Sequence, residues 1–522
     1  MGVSTRTAAV TAGLLAVAVA VPSIRNGFVS DDRWIIVERP LLAQPPSVAA
    51  ILTEPYWPAG FGGVTWRPAV LASFALDYRL GGSAHWFHAV NVLWTGLAAA
   101  LLTLLACRLS DPRTGLVTGL LFAVHPVHVE AVANVVGRAE LMAAVFYAVA
   151  LLCALRVERH RGYLFGIAIA AALAIASKEH AVTLPAAILL VFLARRSSPR
   201  AAALPALAAA LPIVAYFILR GVFTKGSFAS GGLALGLEHL GVLQRAWAMI
   251  PISLQWWRLL LFPVHLSADY SPGELVVSTG FTFAHVLGLA VWIAAGWAAW
   301  HWRTRVPGVA LGLVWLIVTV SPVANVLIPT EVLVAERTLY LPSWGVCFAL
   351  AAGGMALPWP PRARVALLAA VLVAGAARSI VRIPAWHDDE AQYRALTRDA
   401  PRSYRTLWLQ GKDEFAAGRR GSGERLLREA IALAPQVTGP RVDLANYYVT
   451  AGLWKPAAEL LREAIAVDSA LGPAWALFPR ALLNVGDTTA AMAAAREALR
   501  RFPGDSDVVR SARVVLGVAQ RR

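Results

Sequence analysis

Charge is scarce in this chain, and its scarcity decides the class of protein. Charged side chains make up 15% of the 522 residues while hydrophobic ones make up 58%, a balance too apolar for a soluble multidomain protein. Cysteine is also rare. Cys107, Cys153 and Cys347 lie in or beside apolar runs without metal-ligand spacing, which excludes a disulfide framework and a cysteine-rich zinc site and leaves them as small membrane-buried hydrophobes. Lysine is nearly missing from the basic residues. Only Lys178, Lys225, Lys412 and Lys455 stand among 47 Lys and Arg, and with abundant alanine this hints at a GC-rich bacterial genome. The net charge of +16 does not point to nucleic acid, because the arginines cluster in short loops between apolar runs, as the positive-inside rule expects.

What is present is a series of apolar stretches of spanning length. They lie near 7–24, 92–110, 114–127, 139–155, 163–177, 182–195, 202–220, 283–301, 307–326, 340–357 and 365–382, which predicts about eleven crossings. The first is read as an uncleaved span rather than a signal peptide. With a cytoplasmic amino terminus, the basic clusters Arg108/Arg113, Arg156/Arg159/Arg161, Arg195/Arg196/Arg200, Arg303/Arg305 and Arg362/Arg364 all face the cytoplasm. The run at 244–262 must then be re-entrant or interfacial, and everything beyond about 383 lies outside.

The fold class expected is therefore all-α: a polytopic membrane bundle over 1–383, a connecting helix or linker over 384–402, and a repeat domain over 403–522. In that last part Ala430, Ala464 and Ala498 recur at one period, as do Pro435, Ser469 and Pro503, Gly452 and Gly486, and Ala457 and Ala491. The spacing of about 34 residues matches a short tetratricopeptide-repeat solenoid of about three units. Pro479 falls inside a first helix and predicts a kink or a cap there.

Ionisable residues concentrate in the outer loops. In LFAVHPVHVEAVANVVGRAEL a helix starting at Pro126 would place Glu130, Asn134 and Arg138 on one stripe at the membrane surface, facing a cavity. Asp31 and Asp32 follow the first span; His125, His128, Glu140, Lys178, Glu179, His180, Asp269, Glu331, Glu336, Arg337 and Tyr340 occupy the other outer loops. Span interiors are nearly free of charge, so a site at the outer surface fits better than a transport path. Each group also has a plainer reading. The aspartates suit a solvated loop, His125 and His128 suit hydrogen-bonded interfacial histidines without a third metal ligand, and Lys178 and Arg337 suit snorkelling anchors. Trp66, Trp256, Trp257 and Trp344 suit an interfacial belt.

Taken in order, FVSDDRW, VTWRPAVLASFALDYRLGGSAHWFHAVNVL, the 121–141 stretch, SKEHAVTLP, RLLLFPVHLSADYSP and ERTLYLPSWG, followed by tandem repeats, closely resemble the transmembrane and tetratricopeptide-repeat-containing family. Those are protein O-mannosyltransferases of the GT-C fold. The resemblance covers nearly the whole chain. It implies a sugar donor on a polyprenyl phosphate, expected to be mannose, and transfer to Ser or Thr of an extracytoplasmic protein or peptide presented by the repeats. For this chain that means the outer side of a bacterial cytoplasmic membrane.

By resemblance, Asp31 or Asp32 is the general base, with Glu130 also placed among the catalytic acids. Arg67, His125, His128, Arg138, Lys178, Glu179, Arg258, Asp269, Glu336, Arg337 and Tyr340 are the expected donor-phosphate and substrate residues; Glu336 stands where the family signature often has Asp. No metal site is expected. A lipid or glycan acceptor, or a membrane-anchored scaffold without enzymatic activity, are the alternatives.

Overall fold

The computed structural model describes residues 3–43, 46–58, 65–224 and 234–519. Among these the regular elements are all helical, as expected for a chain whose apolar runs must satisfy their own backbone groups in lipid. Helices occupy each of the eleven predicted stretches. Seven, or eight counting the bent pair Pro112–Ala123 and Pro126–Ala133, are long and apolar enough to cross a membrane; Tyr163–Ser177, Glu179–Ala194 and Pro307–Val323 are shorter. The chain is a multi-pass membrane protein. The 244–262 run is a single helix, Val242–Leu261, with Pro251 inside it, and does not number among the candidate spans.

The chain divides into two units, Met1–Tyr270 with Val277–Asp399, and Ser271–Val276 with Ala400–Arg522. In the first, small residues let helices approach closely. A Cβ on Gly312 would lie 2.2 Å from the Gly345 carbonyl oxygen, so the helices Pro307–Val320 and Tyr340–Ala356 meet backbone to backbone. Around that contact, Trp315 and Trp344 pack with centroids 4.5 Å apart, and Trp344 donates its indole N–H to the Leu102 carbonyl at 3.0 Å. Trp66, Trp256, Trp257 and Trp344, expected in an interfacial belt, are all buried against protein. Their indoles pack on partners within the protein, such as Tyr216, stacked on Trp66 at 5.1 Å.

In the second unit, helices Tyr404–Ala416, Arg420–Leu433, Gly439–Thr450, Trp454–Val467, Gly472–Val485, Thr488–Arg501 and Ser506–Ala519 follow one another through short turns. Ala430, Ala457, Ala464, Ala491 and Ala498 are all fully buried, which is why the alanine period was visible: each sits where two helices touch. Pro479 lies within a helix that continues through it.

Candidate functional site

The predicted single helix from Pro126 through Arg138 does not form. The chain makes a 3-10 turn at Pro126–His128, one helical turn at Val129–Ala133, an extended residue at Asn134, a second 3-10 turn at Val135–Gly137, and only then the helix Arg138–Ala154. The break has a distant cause. Asp32, fully buried, accepts the backbone N–H groups of Val136 at 2.8 Å, Val135 at 3.3 Å and Val29 at 3.2 Å. The Val135 and Val136 amides are ones that a continuous helix would use internally. Gly137 permits the tight turn, since a Cβ there would lie 2.2 Å from the Ala131 carbonyl oxygen. Glu130 and Arg138 consequently leave their shared stripe and serve separate groups.

Arg138 is wholly enclosed. It pairs with Asp77, donates to Asn91 Oδ1 at 2.7 Å, Ser73 Oγ at 3.1 Å and the Phe87 carbonyl at 2.8 Å, and lies over the Phe74 ring at 4.9 Å. Burial pushes the Asp77 carboxyl above its usual range against the pull of Arg138. With its donors engaged by protein, this guanidinium organises the loop helix Pro68–Leu80 rather than meeting a ligand.

Glu130 instead accepts the Arg337 backbone N–H at 2.8 Å and pairs with its guanidinium. Arg337 lines a cavity of about 230 Å³ together with Arg67, Lys178, Arg220, Glu179, His180, Glu331 and the hydroxyl-bearing Thr65, Thr330 and Thr338. Each of three cations is steered by a carboxylate: Arg337 by Glu130, Arg67 by Glu179 at 2.9 Å, and Lys178 by Glu140 at 3.1 Å, where His180 also approaches at 3.4 Å. Burial works against the Arg67 charge, but Glu179 outweighs it and holds the guanidinium above its usual range. At Lys178, burial and the neighbouring Arg67 together lower the ammonium despite Glu140. A cavity walled by so many donors suits a multiply charged oxyanion.

The two neighbouring aspartates differ in setting. Burial raises the Asp32 carboxyl to about 7 even against its three amide bonds. Asp31 is partly exposed, has among the described residues a long contact of 3.5 Å with Ser30 Oγ, and lies within electrostatic reach of Arg337 and of the buried Tyr56.

The remaining expected residues fall elsewhere. His125 engages the Leu260 carbonyl at 3.0 Å through Nε2, and its Nδ1 accepts from the Val127 amide at 3.3 Å. His128 pairs with Ser343 Oγ at 2.8 Å and packs against the Tyr340 ring at 4.4 Å; these rings sit beside a much smaller pocket of about 20 Å³. Glu336, next to Arg337 in sequence, faces a different set: it accepts from the Ser267 amide and the Tyr270 hydroxyl, each at 2.6 Å. Asp269 belongs to the same turn, exchanging backbone bonds with Ser267 Oγ. Arg258 donates to Gln255 Oε1 at 2.8 Å and to the His265 carbonyl at 2.7 Å. None of His125, His128, Arg258, Asp269, Glu336 or Tyr340 lines the larger cavity. Among the described residues no group of three or more His, Cys, Asp or Glu is arranged to hold a metal ion.

Sequence reasoning missed Arg220 as a cavity residue, along with Glu140 and His180 as the partners of Lys178. The available signal for Arg220 was its position: a lone arginine in the last turn of the apolar helix Pro199–Phe223.

A family model described as dolichyl-phosphate-mannose-protein mannosyltransferase matches residues 68–221, a stretch that includes Arg67's neighbours, Glu130, Lys178 and Arg220 but not the aspartate pair. Protein O-mannosyl-transferase TMTC4 of Mus musculus is 25% identical over 486 residues, covering 78% of this chain and 64% of that protein. Protein O-mannosyl-transferase TMTC1 of Mus musculus is 40% identical over 138 residues, 25% of this chain and 15% of that protein. This chain therefore spans less than two thirds of the length of these relatives. Among solved structures, ArnT from Cupriavidus metallidurans bound to undecaprenyl phosphate is 15% identical with a TM-score of 0.41, covering 94% of this chain and 80% of that one.

Proposed function

Taking as premise that the chain is like the protein O-mannosyltransferases in sequence, we propose that it is a membrane glycosyltransferase. It moves a sugar, mannose by resemblance, from a polyprenyl phosphate to Ser or Thr hydroxyls of extracytoplasmic proteins. The observation that carries this reading is the meeting of Arg67, Lys178, Arg220 and Arg337 around one cavity with Asp31 in electrostatic reach of Arg337.

The chemistry needs little more. The acceptor oxygen forms its bond to the anomeric carbon as the bond from that carbon to the phosphate oxygen breaks, inverting the centre. Asp31 takes the hydroxyl proton, and the polyprenyl phosphate leaves with its added negative charge among the cations. Asp31 suits the base better than Asp32, because Asp32 is sealed away by three backbone amides while Asp31 is open to an acceptor. Glu130 and Glu179 then act by orienting Arg337 and Arg67, and Arg138 by holding the loop. The helical repeats offer an extended surface for binding an acceptor segment, and tethering it to the same chain raises its effective concentration.

The test is transfer from polyprenyl-phosphate mannose to a Ser/Thr peptide by the full chain in detergent or liposomes. Asp31→Asn is expected to lower kcat by about 10²- to 10⁴-fold with the protein still inserted and folded. Wild-type-like kcat in Asp31→Asn overturns its assignment as base, and absence of any transfer by the wild type overturns the donor assignment.

A further inference from the structure

The loop that presents Asp31 is fastened at both ends and strained in between. Ser30, immediately before Asp31, has φ +54°, in the left-handed region that serine adopts only when its surroundings hold it there. One set of restraints comes from the Asp32 carboxylate, described above. The other comes from far along the chain, where the last candidate span gives way to helix Asp389–Asp399. The Gly27 amide donates to the His387 carbonyl at 2.8 Å, the Ser30 amide donates to Asp389 Oδ1 at 3.2 Å, and Arg33 pairs with Asp389 Oδ2 at 3.0 Å. Both oxygens of one carboxylate thus grip the residues on either side of Asp31 and Asp32.

We infer that Asp389 is a positioning residue for the reaction: through Ser30 and Arg33 it fixes the backbone that aims the Asp31 carboxylate. Asp389 and Arg33 are each about half exposed, so bulk stability has little stake in their contact. What the contact does control is a local conformation that Ser30 would otherwise leave. Orientation errors of this kind act on the chemical step more than on binding, because the base must lie in line with one hydroxyl proton. This inference rests on the assignment of Asp31 as base.

The experiment pairs kinetics with a readout independent of catalysis. In the full chain, Asp389→Ala is expected to lower kcat roughly tenfold or more with KM for the peptide nearly unchanged, and to speed hydrogen exchange across Phe28–Arg33. Asp389→Asn keeps an oxygen for the Ser30 amide and gives up the charge toward Arg33, so it should retain most of kcat. Ser30→Gly in the Asp389→Ala background should recover part of it, since glycine enters the left-handed region without steric cost. Equal losses in Ala and Asn variants, no recovery with glycine, or a change in KM alone would overturn the inference. If wild type transfers no mannose, the proposed function fails by itself. Exchange then decides the structural half: unchanged exchange in Asp389→Ala overturns it, and faster exchange confined to Phe28–Arg33 supports it.

Discussion

The two units use charge in opposite ways. In the repeat unit many ion pairs are short-range and lie at the surface: Arg428 with Glu424, Arg500 and Arg501 with Glu497, and Arg419 with Glu414 are three to five residues apart. In the membrane unit the pairs around the cavity and at Arg138 are largely enclosed and join distant segments. Arg337 meets Glu130 across 207 residues, and Arg67 meets Glu179 across 112. Surface pairs contribute little to stability, whereas a buried charge deprived of its partner is strongly destabilising. The enclosed pairs of the first unit therefore hold its segments together, while the short-range pairs of the second mostly decorate helix surfaces.

The sharpest way to break that contrast is to remove one partner on each side. Arg138→Ala leaves Asp77 nearly inaccessible and strips acceptors on Asn91 and Ser73 of their donor. A loss of about 3–5 kcal/mol is expected, read as a large fall in the unfolding transition of the purified protein in detergent. Arg500→Ala in the repeat unit should leave that transition where it is. Equal shifts would show that enclosure is not what separates the two kinds of pair.

A pH titration sharpens the same contrast, because Asp32 is enclosed and its carboxyl is raised to about 7 by burial. A raised folded-state value means that the folded protein holds the proton over a range where the unfolded chain has released it. The stabilisation from this group is therefore complete below pH ~4 and is lost as pH rises through about 7. Asp32→Asn has no proton to exchange at this position, so its stability should lack that decline between those limits. Parallel pH profiles for wild type and variant would contradict the enclosure of this side chain.

These two experiments also mark where sequence reading stops. The positions of the apolar helices were legible because each run buries itself locally, and the alanines at a fixed period marked positions that are buried in the helices of the second unit. The turn at Asn134 was not legible. Pattern alone continues the helix, and the agent that interrupts it is Asp32, over a hundred residues earlier. For the same reason the cavity was only half read: Arg67, Lys178, Glu179 and Arg337 stood out as outer-loop charges, but nothing local paired them with their carboxylates or added Arg220. His125 and His128 stood out by spacing, yet their nitrogens serve Leu260, Val127 and Ser343.

The smallest effect is expected where the repeat geometry depends on backbone alone. Gly418, Gly452 and Gly486 share the left-handed region with φ of +77°, +75° and +97°, and they stand one repeat apart, each at a turn between helices. A Cβ at any of them would meet nothing within 4 Å, so substitution by alanine introduces no clash and its cost is purely conformational. Gly452→Ala should destabilise the adjoining helices Gly439–Thr450 and Trp454–Val467 by about 1 kcal/mol, read as faster hydrogen exchange in those two helices of the full chain. Exchange in the membrane unit should not change. A response that reached the Arg138–Asp77 pair would mean that the units share one cooperative unfolding step, and the contrast between them would then describe their chemistry but not their stability.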